Sequence, residues 1–168
     1  MKVFICAVAL CVLVCIEASV LHKKSAPVRR QQGSFVAFSA GLTSMVNLTT
    51  NGTVVFNKEF IDLGDTYDNQ TGVFTCSRPG VYMFLYHGLS ETSGQMWLDL
   101  YKNGAYEITA YAHNGQDYAA ASNSILMDLN VGDTVFIRGH GSSQLYGTQT
   151  EVYATFSGYL LSPGGGGQ

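Results

Sequence analysis

The sequence predicts an all-β domain, a sandwich of two antiparallel sheets, and three observations lead to it. Ten Tyr, nine Phe and nineteen Gly supply aromatic strand formers and turn residues. Short apolar runs alternate with turn signals at about the 8–12-residue spacing of sandwich strands. No long stretch repeats its apolar residues at helical spacing. Charged residues make up 12% of the chain and hydrophobic ones 46%, which favours a packed core over disorder. At 168 residues there is room for one sizeable domain.

Taken in order, residues 1–18 read as an export signal: Lys2 gives a positive start, Val3 to Ile16 is unbroken apolar sequence, and Ala18 and Ser19 are small. The run falls short of the ~20 residues of a spanning helix, so a secreted, extracellular product is expected, with an uncleaved anchor as the alternative. No later segment reads as a membrane span. Residues 19–33 form a basic linker carrying Lys23, Lys24, Pro27, Arg29 and Arg30, with Arg29-Arg30 a candidate processing site. The domain proper is 34–162, and 163–168 is a glycine-rich tail. From Ser34 onward four bases face eleven acids, a balance that repels a phosphate backbone and excludes nucleic acid as a partner.

Within the domain, strands are expected at Phe35–Ala40, Val54–Asn57, Gly72–Cys76, Val81–Leu89, Met96–Lys102, Ala105–Ala112, Ser124–Leu129, Thr134–Arg138 and Val152–Leu161. Asn51-Gly52 and Asn103-Gly104 are type I′ turn signals. Cys6, Cys11 and Cys15 fall in the export signal, leaving Cys76 without a partner in its chain, so a disulfide framework is excluded. Cys76 shares a strand face with Phe74. A buried thiol and an intermolecular bridge both remain open.

Two strands carry more information. Along Val81–His87, Tyr82, Phe84 and Tyr86 share one face while Val81, Met83 and Leu85 share the other, and both faces are apolar. The last strand sets Val152, Ala154, Phe156 and Leu160 against Tyr153, Tyr159 and Leu161. A strand of an ordinary antiparallel sheet has one wet face, so these need two layers of cover. The partner sheet provides one layer, and a second subunit is expected to provide the other, with a long loop of the same chain as the alternative. Val81, Met83, Leu85, Tyr153, Tyr159 and Leu161 are therefore the candidate subunit-interface residues.

Phe56, Asp62, Tyr67, Phe74, Gly80, Tyr82, Phe84 and Tyr86 form a spaced set that resembles the signature of the complement C1q globular-head family. Val131-Gly132-Asp133-Thr134-Val135 and Phe156-Ser157-Gly158-Tyr159-Leu160-Leu161 are similar to later family segments, and the likeness covers about residues 34–162. It implies a ten-stranded jelly roll of the kind shared with tumour-necrosis-factor-like ligands, a homotrimer, and binding rather than catalysis. The sequence departs from many such relatives in having no Gly-X-Y stalk. Some relatives bind calcium near the trimer apex. Ala119 and Ala120 stand at those places here, leaving Asn114, Gln116 and Asp117 as weak metal candidates.

Catalytic spacing is absent. His22, His87, His113 and His140 form no His-Glu-x-x-His pair, no Gly-x-Ser-x-Gly elbow occurs, and Cys76 has no base that spacing identifies, so no enzyme is expected. His140, between two glycines, reads as a loop residue. Asp62, Asp65 and Asp68 lack the ligand count of a calcium loop. Asn47, Asn51 and Asn69 head glycosylation sequons. The functional expectation is a secreted trimeric recognition module for carbohydrate or other microbial or cell-surface ligands, in innate immune pattern recognition. The alternative is a receptor-binding ligand trimer or a secreted matrix protein.

Overall fold

The computed structural model describes residues 35–164, apart from the side chain of Asn114. The expected export signal, the basic linker with Arg29-Arg30, and residues 165–168 lie outside the described residues. Among the described residues there are thirteen strands and one 3-10 turn, Leu48–Thr50. Four of the strands are two-residue pairings, and the remaining nine come close to the ten that the family resemblance implies.

In the first sheet, β4 (Lys58–Leu63), β1 (Ala37–Gly41), β13 (Thr155–Pro163), β7 (Gly80–Ser90) and β10 (Ala119–Leu129) lie side by side. The short β12 (Gln144–Leu145) and β2 (Val46–Asn47) join at the Ser90 end of β7. The second sheet runs β5 (Tyr67–Asp68), β6 (Val73–Thr75), β11 (Thr134–Gly141), β8 (Gly94–Lys102) and β9 (Ala105–Asn114), and β3 (Gly52–Thr53) also pairs with β11. Every pairing is antiparallel, and the chain crosses repeatedly between the sheets.

The aromatics of the spaced set, joined by Phe38 and Phe156, make the core between the sheets. Phe38 stacks on Tyr67 at 4.8 Å and meets Phe156 edge-on at 5.0 Å, while Phe74 meets Phe84 edge-on at 5.2 Å. Such pairs add about 0.5–1.5 kcal/mol each beyond burial of their area. Phe56, Phe74, Tyr82, Phe84 and Phe156 are fully buried. Asp62 serves a turn: its carboxylate accepts hydrogen bonds from the Thr66 amide (2.8 Å), the Tyr67 amide (2.9 Å) and the Thr66 hydroxyl (3.1 Å). That turn sets Tyr67 in the core, where its hydroxyl donates to the Phe56 carbonyl (3.2 Å) and burial pushes its pKa above the ordinary tyrosine value. Gly80 has φ 151°, and a Cβ there would collide with the Ser162 carbonyl oxygen, so the signature glycine is a requirement of close strand approach.

Several expectations need correction. Asn103 and Gly104 do form the expected turn, with φ 50° and 80°. Asn51 instead caps the 3-10 turn in the left-handed conformation, and Gly52 opens β3, so no type I′ hairpin forms there. Val54–Asn57 is not a strand. Val54 and Phe56 are buried, but the strand is Lys58–Leu63, whose charged start suits a sheet edge. The last strand begins at Thr155 rather than Val152, and a bulge between Leu160 and Ser162 throws Leu161 outward. The strand expected at Ser124–Leu129 starts earlier, at Ala119, because its small polar residues pair along the whole of β7.

Candidate functional site

Period-two alternation along β7 buries Tyr82, Phe84 and Tyr86 and turns Val81, Met83 and Leu85 to the outer face of the first sheet. Strand register extends that face sideways. Leu126, Met83, Tyr159, Ala37 and Leu63 stand opposite one another across five strands, forming one apolar row. Leu126 is 52% exposed and Leu63 42%, so no other part of the described chain covers these ends of the row. Leu161 is also exposed. All six interface candidates thus lie half-buried or exposed, though Tyr153 belongs to the loop before β13 rather than to a strand. Sequence reading missed Leu126, Ile61 and Leu63 on the same face. The Ile61-Asp62-Leu63 alternation was the available signal.

Two residues further along the strands the face turns polar. Ser124, Leu85, Ser157, Ser39 and Ile61 form the next row, with the Ser39 and Ser157 hydroxyls 2.8 Å apart. Beyond it stand Ser122, His87 and Thr155. A hollow of about 430 Å3 opens among these side chains. His87 Nδ1 lies 2.7 Å from the Tyr153 carbonyl oxygen, which fixes the ring as donor at that nitrogen.

At the far end of the face, loops build a second hollow of about 310 Å3 lined by Leu89, Tyr118, Tyr146, Glu151 and Tyr153. The Tyr146 amide donates to the Leu89 carbonyl (2.7 Å) and its hydroxyl to Glu151 Oε2 (3.0 Å). The bond to Glu151 is the main cause of the raised Tyr146 pKa. Tyr146 meets Tyr118 at 87° and Tyr153 at 59°, so the three rings form walls rather than a stack.

The outer face of the second sheet is a cross-strand ladder. His140 and Trp97 face each other in register and stack at 5.1 Å, and Tyr111 closes the row at 4.8 Å from Trp97. In the next row His140 Nε2 reaches Asp99 Oδ2 at 2.8 Å, and the Thr109 hydroxyl donates to Asp99 Oδ1 at 2.6 Å. His140 is therefore a strand residue holding a buried carboxylate, not a loop residue. Arg138 lies over Tyr101 at 4.7 Å, and Tyr101 stacks on Phe136 at 5.5 Å. Since these rings cover one another, the ladder stabilises the sheet.

The metal candidates are near neighbours in sequence at the end of β9 and in the loop that follows it. Gln116 and Asp117 lie in the β9–β10 loop, where Asp117 Oδ1 accepts the Tyr118 amide (2.8 Å), and Asn114 ends β9. No group of three or more His, Cys, Asp or Glu among the described residues could hold a metal ion. In the aspartate set, Asp62 is committed to its turn, Asp65 takes φ 50°, and Asp68 accepts the Gln70 amide at 2.8 Å. Of the sequon residues, Asn47 and Asn51 are exposed and Asn69 is half-buried; Asn47 Oδ1 already accepts the Thr49 amide at 3.0 Å.

Cys76 is buried and free, with its thiol donating to the Arg78 carbonyl at 3.0 Å. The folded chain without residues 1–18 is accordingly expected to resist iodoacetamide and to react at Cys76 once denatured, as read by intact mass. A covalent dimer on a non-reducing gel would contradict that placement.

Comparison with known proteins agrees with this architecture. The C1q domain family model matches residues 37–161. Caprin-2 of Danio rerio is 36% identical over 129 residues, which is 75% of this chain but only 14% of that protein, so the chain spans about a seventh of its relative. The globular domain of the zebrafish complement 1qA protein matches with TM-score 0.63 and 26% identity, over 77% of this chain and 99% of that one. Murine APRIL (TM-score 0.62, 10% identity, 76% and 99% covered) and the Eiger TNF of S. frugiperda (0.61, 12%, 80% and 97%) share the fold. With its signature aromatics in the core and its two antiparallel sheets in jelly-roll order, the chain belongs to the C1q domain family.

Proposed function

We propose that this chain is a secreted, non-enzymatic recognition module that assembles as a homotrimer and presents its loops to carbohydrate or other surface ligands of microbes or cells, in an innate immune role. The observation that carries the reading is the apolar row Leu126–Met83–Tyr159–Ala37–Leu63 on the outer face of the first sheet. Large side chains are worth about 1.5–3 kcal/mol each when taken from water, so a contiguous row of them favours a second protein layer. Membership of a family whose domains form trimers supports three copies. No helix among the described residues is long and apolar enough to cross a membrane, and the apolar run Val3 to Ile16 supports export. Three weak sites on one rigid body would gain avidity without new contacts.

The test has two arms. Sedimentation equilibrium of the chain without residues 1–18 should give three copies per particle at micromolar concentration. A glycan array probed with that trimer, with and without calcium, should show selective sugar binding. A monomer sinks the assembly, whereas a trimer silent on the array yet saturably bound by cells sinks the sugar ligand and favours a receptor.

A further inference from the structure

From the tyrosine-walled hollow at the loop end of the first sheet we infer a binding site for a quaternary ammonium group of the choline type. Three features favour that chemistry. Tyr118, Tyr146 and Tyr153 present three mutually inclined rings around one space of about 310 Å3. Aromatic faces attract a cation through their quadrupole, and several rings around one space make the cage that alkylammonium groups prefer. Glu151, the one charged residue lining the hollow, adds a carboxylate, and Leu89 adds an apolar wall that suits methyl groups better than the strongly hydrated ammonium of lysine. From Ser34 onward eleven acids against four bases give the domain a field that attracts cations.

The cage is preorganised, as a small-ligand site needs to be. Tyr146 is tied through its amide to Leu89 and through its hydroxyl to Glu151. Glu151 is held in turn by its backbone amide, which donates a hydrogen bond to the Thr148 hydroxyl at 3.1 Å. His87 anchors the Tyr153 carbonyl. Asp117 receives the Tyr118 amide. Tyr118 and Tyr153 remain about half exposed, so the hollow is open in the single chain.

This site deepens the recognition reading and rests on it for its biological role; Tyr153 is also one of the candidate subunit-interface residues, so the site serves only where the trimer leaves that ring open to solvent. The probe is choline chloride, titrated at constant ionic strength against the wild-type chain and followed by NMR shifts of the tyrosine rings. The neutral isostere 3,3-dimethyl-1-butanol is titrated in parallel. Choline should bind in the millimolar range and the isostere at least tenfold more weakly. Tyr118→Ala and Tyr153→Ala should each weaken choline binding about five- to tenfold, and Glu151→Gln about threefold. Co-sedimentation with phosphatidylcholine vesicles, against phosphatidylglycerol vesicles, then separates a lipid headgroup from a soluble source of the same group. Equal shifts with choline and its isostere would overturn the inference, as would choline binding that the three variants leave intact. Binding confined to a monomerised variant such as Met83→Asp would show the hollow shut in the assembly and overturn it as a functional site. The sedimentation result judges the trimer separately: a trimer that ignores choline sinks only the cage.

Discussion

Tyr82→Asp is expected to abolish folding, giving insoluble or unfolded chain where the wild type gives a cooperative urea transition. Tyr82 is fully buried on the inner face of β7, at 5.5 Å from Phe74 and 6.1 Å from Phe84. Its hydroxyl donates to the Arg78 carbonyl at 2.7 Å, and burial is the main reason its pKa stands above the ordinary value. Aspartate removes the ring and leaves a carboxylate in an apolar layer. The lost ring contacts cost about 3–5 kcal/mol, and desolvating the carboxylate, or protonating it instead, costs several more. A domain of this size has only about 5–15 kcal/mol in hand. Tyr82→Phe is the control: it forfeits one hydrogen bond, about 1–3 kcal/mol, and should fold with a lowered urea midpoint. A well-folded Tyr82→Asp protein would mean that β7 presents its other face to the core.

How far this fold is legible in sequence depends on what each strand does. β7 could be read because its two faces are both apolar for different reasons: Tyr82, Phe84 and Tyr86 build the core, while Val81, Met83 and Leu85 stay outside it. β4 was not legible. Its inward residue Asp62 is polar because it staples a turn, and its Lys58-Glu59 start looks like loop. Asn51-Gly52 misled because a 3-10 turn uses the same left-handed asparagine that a hairpin would use. Ala119–Asn123 resisted strand assignment because alanine, serine and asparagine carry little β preference, and only long-range pairing with β7 holds them extended.

The candidate sites were less legible than the fold. Tyr118 comes from the β9–β10 loop and Tyr146 and Tyr153 from the β12–β13 loop, and no spacing announces that the three meet. His140 and Asp99 are 41 positions apart, and cross-strand register alone brings them to 2.8 Å. Local pattern can show that a face is apolar, but which residues from other strands complete it is settled by register.

That register makes the second large prediction specific. Met83→Asp is expected to convert the assembly to monomers at micromolar concentration while leaving the fold in place. Met83 stands between Leu126 and Tyr159 in the middle of the apolar row, on the outer side of its strand. In the single chain this side is partly hydrated, so an aspartate there stays solvated and should cost the monomer about 1 kcal/mol or less. In a closed homotrimer the same change occurs three times, each placing a charge in an apolar contact, and unpaired charges of this kind cost several kcal/mol apiece. Every 1.4 kcal/mol is tenfold in affinity, so the association constant falls by many decades. Tyr111→Asp supplies the comparison, since Tyr111 is 49% exposed on the outer face of the opposite sheet. If that face does not take part in assembly, Tyr111→Asp should leave the sedimenting mass at three copies. A Met83→Asp protein that still sediments as a trimer, or a Tyr111→Asp protein that does not, would move the interface to the other sheet and leave the Leu126–Met83–Tyr159 row without a role.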